Sequence, residues 1–280
     1  MSRIRRGWAL TKKSWGVLES NRALIRFPLY GGVATIVMGL IVVGPGLYLI
    51  DKGSTGAGVA LAIIGFYLLA VIGFYFSVGL AAAADMIFRG EEATVADGLE
   101  VARSRFGAIA GWAALATSVG VLLSILEDQG IVGQIVGRIL DIGWSLITFL
   151  AVPVIAIEGT GPIDTLKRSA SLFRSRWGQQ ITGNLAIGGL VFLLGMLPAA
   201  LLIIGGIALW SSSGFAGALL VVVGAIVLAI SLLISKALSG IFGVALYRYA
   251  LEGHPSGGFT ADELESAVGR KKGAPAQGTV

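Results

Sequence analysis

The sequence predicts an all-α integral membrane protein, with six transmembrane helices arranged as three hairpins, each preceded by a short amphipathic cytoplasmic helix. Three observations predict it. The chain of 280 residues is 55% hydrophobic and only 13% charged, whereas a soluble domain carries about 25% charged residues. Apolar runs recur that reach the ~20 residues a helix needs to cross the hydrocarbon. Basic residues collect in alternate connecting segments, as they do in cytoplasmic loops.

The runs fall at Phe27–Ile50, Gly56–Ala84, Gly107–Leu126, Ile131–Ile157, Ile181–Trp210 and Gly214–Tyr247. The turns at Asp51-Lys52-Gly53, Glu127-Asp128-Gln129-Gly130 and Ser211-Ser212-Ser213-Gly214 are short, so the helices they join are antiparallel neighbours. Pro45, Pro153 and Pro198 lie inside spans; each removes one backbone hydrogen bond and kinks its helix. The 42 glycines suit membrane helices that approach closely, as in Gly107-x-x-x-Gly111 and Gly133-x-x-x-Gly137. A cleaved secretory leader is not expected, because the first apolar run comes after a long basic segment and is of full spanning length.

Charge sets the orientation. Most of the 21 basic residues precede the first span, lie between the second and third or the fourth and fifth, or come after the sixth. The opposite side holds Lys52 and Arg138, and Lys236 falls inside a span. Both termini are therefore expected in the cytoplasm, with the chain in the inner membrane. The net charge of +5 is accounted for by topology and anionic lipid, and no nucleic-acid partner is expected.

The basic segments repeat. Lys12-Lys13-Ser14-Trp15-Gly16, Arg103-Ser104-Arg105-Phe106-Gly107 and Arg174-Ser175-Arg176-Trp177-Gly178 share a pattern of basic, x, x, aromatic, Gly. Upstream, Ile4, Trp8, Thr11, Trp15 and Leu18 keep the spacing of one helix face. So do Val95, Leu99, Ala102, Phe106 and Ile109, and then Leu166, Ala170, Phe173 and Trp177. An interfacial helix has this form, with aromatic groups at the headgroup boundary and cations toward phosphate. The expected contacts are Trp8, Lys12, Trp15, Arg103, Phe106, Arg174 and Trp177. Residues 1–252 read as one transmembrane domain of three repeats, about 1–84, 91–157 and 162–250. Residues 253–280 read as a cytoplasmic tail, mostly disordered, with a Thr260-x-x-Glu263 capping signal.

With these helices the chain resembles a broad group of prokaryotic membrane proteins. The group includes the membrane domain attached to some glycerophosphoryl diester phosphodiesterases and standalone six-helix proteins of unknown function. The resemblance implies architecture over residues 1–250. It implies no catalysis, since the chain has no room for the soluble phosphodiesterase domain.

Polar groups inside spans are expensive, ~2.5–3.5 kcal/mol for a central charge on insertion scales. Gln134, Arg138, Asp141, Ser145 and Thr148 line one face of the fourth span, and Lys236 sits on the sixth near Ser231, Ser235 and Ser239. These are candidates for a polar pathway or for structural ion pairs. Arg138 and Asp141 would pair with each other or with Glu127 and Asp128, and Lys236 would snorkel or pair with Glu158 or Asp85. There is no cysteine and one histidine, His254, so thiolate, disulfide and zinc chemistry are excluded. No P-loop, His-Glu-x-x-His or Gly-x-Ser-x-Gly occurs. No cofactor, metal or catalytic residue is expected. The partners expected are the bilayer, its anionic headgroups, and a protein partner or second copy. The reading is a non-enzymatic protein that organises the membrane or serves as a subunit. The alternatives are a channel or transporter for a small solute and, third, a lipid-headgroup enzyme.

Overall fold

The structure, a computed structural model, describes residues 3–177, 195–210, 213–261 and 264, with backbone alone for 3–11, 131–132 and 176–177. Every described element is helical. Lipid as solvent explains this, since a helix satisfies its own backbone and an open strand does not. Five helices are long and apolar enough to cross a membrane: Ala23–Asp51, Thr55–Phe88, Phe106–Glu127, Gly133–Glu158 and Gly214–Glu252. The chain is thus a multi-pass membrane protein. Of the expected fifth span, residues 181–194 lie outside the described residues, and its later part is a shorter apolar helix, Leu197–Leu209.

The chain divides into two compact units, Asn21–Phe173 and Met1–Ser20 with Arg174–Val280. In the first unit, α2 (Ala23–Met38) runs through a π turn, Gly39–Val43, into α3 (Gly44–Asp51). Pro45 explains the turn: it has no N–H for the Ile41 carbonyl, and the Gly44 N–H reaches back five residues to Gly39. α4 (Thr55–Phe88) packs along this whole segment through glycines. The backbones meet where a Cβ on Gly46 would touch Ala62 and Gly58 at 3.1 Å. Gly65 faces Val42 and Val43, and Gly31 faces Phe76. Lipid tails give apolar helices no hydrophobic reason to associate, so close van der Waals packing of this kind holds them together.

α5 (Val95–Ser104) crosses α4 where Gly98 meets Gly79, with the Phe27 ring wedged beside both. α6 (Phe106–Glu127) lies on α4, and the Tyr67 hydroxyl donates to the Ala110 carbonyl at 3.3 Å. α7 (Gly130–Thr148) meets α6 through Gly133 and Gly137, which abut Leu126 and Glu127, and Trp144 stacks on Trp112 at 6.2 Å. The fourth apolar run breaks after α7 and resumes as α8 (Ala151–Glu158). Pro153 has no N–H for the Phe149 carbonyl, which accounts for the break. Ser169, fully buried on α9 (Pro162–Trp177), repairs it. Its hydroxyl accepts from the Leu150 N–H at 3.2 Å and donates to the Ile147 carbonyl.

In the second unit α1 (Arg3–Ser20) contacts α11 (Gly214–Glu252), and α10 (Leu197–Leu209) packs on α11. Gly206 there faces Gly217, and Gly224 faces Ala199 and Ile203. After α11 the chain turns at Gly253, φ 75°. Phe259 is buried with its ring 5.9 Å from Phe242, and Leu264 is buried as well. The start of the tail is therefore packed on the last helix.

The glycine seam can be tested directly. A Cβ on Gly58 would stand 2.6 Å from Ile50 Cγ1 and 2.7 Å from the Gly46 carbonyl oxygen, whereas one on Gly73 meets nothing within 4 Å. Gly58→Ala should lower stability by about 1–3 kcal/mol through overpacking. Gly73→Ala should be neutral or raise it by up to ~1 kcal/mol, the helix propensity of Ala over Gly. Thermal unfolding of both variants in detergent reads the difference.

Candidate functional site

The long helices exceed the bilayer. α11 has 39 residues, about 58 Å at 1.5 Å per residue, and α4 has 34, about 51 Å, against ~30 Å of hydrocarbon. Burial shows where the excess lies. On α4, residues up to Ser77 are exposed or half-buried except at Gly58, Gly65 and Val71, and Val78–Asp85 are then buried without interruption. On α11 the change comes after Lys236, with most of Ala237–Ala250 buried. On α2 it comes between Pro28, buried, and Leu29, 45% exposed. Thr55 to Ser77, Gly214 to Lys236, and Leu29 to Asp51 each rise about 33 Å, one hydrocarbon thickness. The remaining ends, sheathed in protein, are those that adjoin the basic segments.

Lys236 stands at the edge of the exposed stretch of α11. Its side chain is exposed. The two carboxylates weighed as its partners are engaged elsewhere: Asp85 with Arg89 at 3.2 Å and Glu158 with Arg168 at 2.8 Å.

The basic-aromatic segments lie next in sequence to the buried helix ends. α5 opens with a capping box. The Thr94 hydroxyl and N–H both donate to the Asp97 carboxylate, at 2.7 and 2.8 Å. These bonds favour the charged form and hold Asp97 below the usual carboxylate value. Gly98 and Ala102 are the buried face of α5, with Val95 and Leu99 beside them half-buried. Phe106, assigned to the same stripe, instead begins α6 and is 52% exposed. In α1, Leu18 and Ser14 are buried, while Trp15 is 43% exposed and Lys12 exposed. The side chains of Trp8 and Trp177 lie outside the described residues. On α9 the buried face runs through Thr165, Ser169, Leu172 and Phe173, with Leu166 and Ala170 at its margin and Arg174 exposed. Arg103 is exposed too. The repeated aromatic thus faces outward in both copies where it is described, and cations flank it.

Sequence reasoning missed how α6 and α8 meet. Arg105, between α5 and α6, lays its guanidinium against Gly159, the left-handed residue that ends α8, φ 68°. Pro162 packs on Gly111. The Thr160 and Thr165 hydroxyls lie 2.8 Å apart, and Thr165 donates to the Thr160 carbonyl at 3.0 Å. The only signal in the sequence was the middle basic residue of the repeat, and its partner lies 54 positions away.

The α7 stripe lies apart from these contacts. Gln134, Arg138, Asp141 and Ser145 are exposed, as are Ile135, Ile139 and Ile142. The Gly133–Gly137 face packs on α6 instead. Among the described residues Arg138 and Asp141 form no ion pair, with each other or with Glu127 or Asp128. Among the described residues there is also no group of three or more metal-ligating side chains.

Residues 55–258 match DUF6159, described as a family of unknown function, and the chain belongs to that family. No curated protein and no solved structure matches it.

The limit of the exposed stretch of α11 makes a prediction on sealed membranes. The chain has no cysteine, so single cysteines report cleanly. Lys236→Cys should react with a membrane-impermeant maleimide offered at the face that carries the basic segments, and Ile226→Cys should not. If both resist labelling equally, Lys236 lies within the hydrocarbon.

Proposed function

We propose that this DUF6159 member is a non-enzymatic inner-membrane protein that organises the bilayer or holds a partner subunit, through cytoplasmic helices seated among anionic headgroups. In this reading there are six spans in three hairpins, α10 belongs to the fifth, and both termini are cytoplasmic. The glycine contacts that step in opposite directions along α3 and α4, and along α10 and α11, support the hairpins. The observation that carries the function is the outward aromatic. Trp15 and Phe106 hold the same place in the repeat, and both are exposed beside exposed Lys12 and Arg103. An amphipathic ring at headgroup level with lysine or arginine around it is how proteins anchor at the interface. Burying one such ring is worth about 1.5–3 kcal/mol.

Replacing Trp8, Trp15, Phe106 and Trp177 by Ala should leave helix content unchanged and strip anionic phospholipid from the purified protein. Mass spectrometry of co-purified lipid measures this. Unchanged lipid together with unchanged partner capture and assembly would sink the reading.

A second reading, a conduit for a small polar solute, is favoured by one observation: Arg138 and Asp141 are exposed on a spanning helix without an ion pair among the described residues. In reconstituted liposomes it expects solute or ion flux that falls when Arg138 or Asp141 is replaced by Ala. Liposomes tight to ions and small polar solutes would dispose of it.

A further inference from the structure

The contact between Arg105 and Gly159 has chemistry left over. The Nε of Arg105 is buried and has no hydrogen-bond partner. Among the described residues the guanidinium makes no ion pair, and Glu158, one residue before Gly159, is held by Arg168. A guanidinium carries five N–H donors in a rigid fork, and a partly buried cation without an anion is costly. Gly159 is needed there twice over. Its φ of 68° suits glycine, and a Cβ would occupy the space of the guanidinium itself. The loop therefore fixes the fork in place without neutralising it.

The surroundings suit an anion arriving from the bilayer edge. Arg105 is the N-cap residue just before α6, and unpaired N–H groups of a first helical turn favour negative charge. Gly107 in that turn and Gly161 in the loop are open, with no atom within 4 Å of where a Cβ would stand. The backbone can thus be approached closely. Phe106, 52% exposed, adjoins the fork on one side of the sequence, and exposed Arg103 lies two residues before it. A phosphate joined to acyl chains satisfies the whole set, with the fork and helix terminus for its oxygens and the ring for its hydrocarbon.

We infer that Arg105, seated on Gly159 at the entrance to α6, binds the phosphate of an anionic phospholipid. The inference rests on the headgroup reading above and narrows it to the second copy of the repeat, the third copy's equivalent Arg176 having its side chain outside the described residues. In the first copy the residue equivalent to Arg105 is Ser14, which is uncharged and buried, so that copy has no such seat.

The test uses the full chain in a neutral detergent, with phosphatidylglycerol, phosphatidylcholine or inorganic phosphate added and thermal unfolding recorded. Phosphatidylglycerol should raise the melting temperature of the wild type, and phosphatidylcholine and inorganic phosphate should not. Arg105→Gln should weaken the apparent affinity for phosphatidylglycerol about tenfold or more, the scale of one charge-assisted pair. Gly159→Ala, which displaces the fork, should do the same, and Arg105→Lys should keep part of the response. If Arg105→Gln does not fold, phosphatidylglycerol retained by Arg105→Lys relative to wild type, by mass spectrometry, decides between loss and no loss. An undiminished response in the Arg105 variants overturns the seat. If the aromatic variants still lose lipid, the broader reading survives that result. A wild type that ignores phosphatidylglycerol removes both, and a response matched by inorganic phosphate removes the lipid assignment.

Discussion

Two helices in this protein are longer than a bilayer is thick, and the rest of the structure answers that constraint. About 33 Å of α4 and α11 suits hydrocarbon, and the residues beyond it are equally apolar. Val78–Ala84 and Leu238–Leu246 hold hardly a polar group. In water such surface would cost roughly 25 cal/mol for each Å² exposed, so it has to be covered by protein. Around α4 the cover is α5, α8 and the Phe27 end of α2. On α11 part of it is α1 and the Phe259 ring. The short basic helices therefore have a structural duty, which explains why each turns small or apolar residues inward. Their cations and the repeated aromatics are left facing out.

Close packing then decides which residues touch. Glycine is abundant because helices without a hydrophobic drive between them gain most by bringing backbones together. The same closeness puts Gly79 against Gly98 and leaves room for Phe27. Proline introduces the opposite problem, a carbonyl without a donor. Two solutions occur here. Before Pro45 the helix widens by one residue, and before Pro153 it breaks, with the Ser169 hydroxyl taking up the Leu150 N–H and the Ile147 carbonyl at the break. The second ties α9 to the fourth span with a buried, fully used side chain.

Much of this was legible in the sequence, because hydrocarbon thickness and helical rise are fixed lengths. The first, second, third, fourth and sixth apolar runs coincide with helices to within a few residues at most ends. The first extends back to Ala23 and the sixth on to Glu252. What periodicity could not give was the point at which lipid contact becomes protein contact, since both environments select apolar residues. Lys236, inside the sixth apolar run, stands where the exposed stretch of α11 gives way to the buried one. The helical stripes were partly right for the same reason. Ala102 and Leu18 face inward as spaced, but Phe106 and Trp15 turn out; for Phe106 the reason is that α5 ends at Ser104 and the aromatic belongs to the next helix. Arg105 on Gly159 joins residues far apart in sequence, and Ser169 is one serine among many. No local pattern marks either.

Two kinds of polar group remain distinct in energy. Arg103, Lys12, Arg174 and Lys236 are exposed, and at a headgroup boundary snorkelling and anionic phosphate make such charge inexpensive. Asp141 lies eleven residues into α7 from Gly130, about 16 Å of rise, on a helix long and apolar enough to cross a membrane. A charge there costs ~2.5–3.5 kcal/mol if lipid faces it, and Arg138 one turn away adds to the demand. Gln134, Arg138, Asp141 and Ser145 are spaced 4, 3 and 4 apart, the seam spacing of paired helices. A polar seam beside an isoleucine face is poor lipid contact and good helix contact. The stripe thus requires a cover that is not lipid. A neighbouring polar helix meets that requirement in the subunit reading, and water meets it in the conduit reading. The two differ in what fills one surface, and the basic-aromatic segments keep the same chemistry in either case.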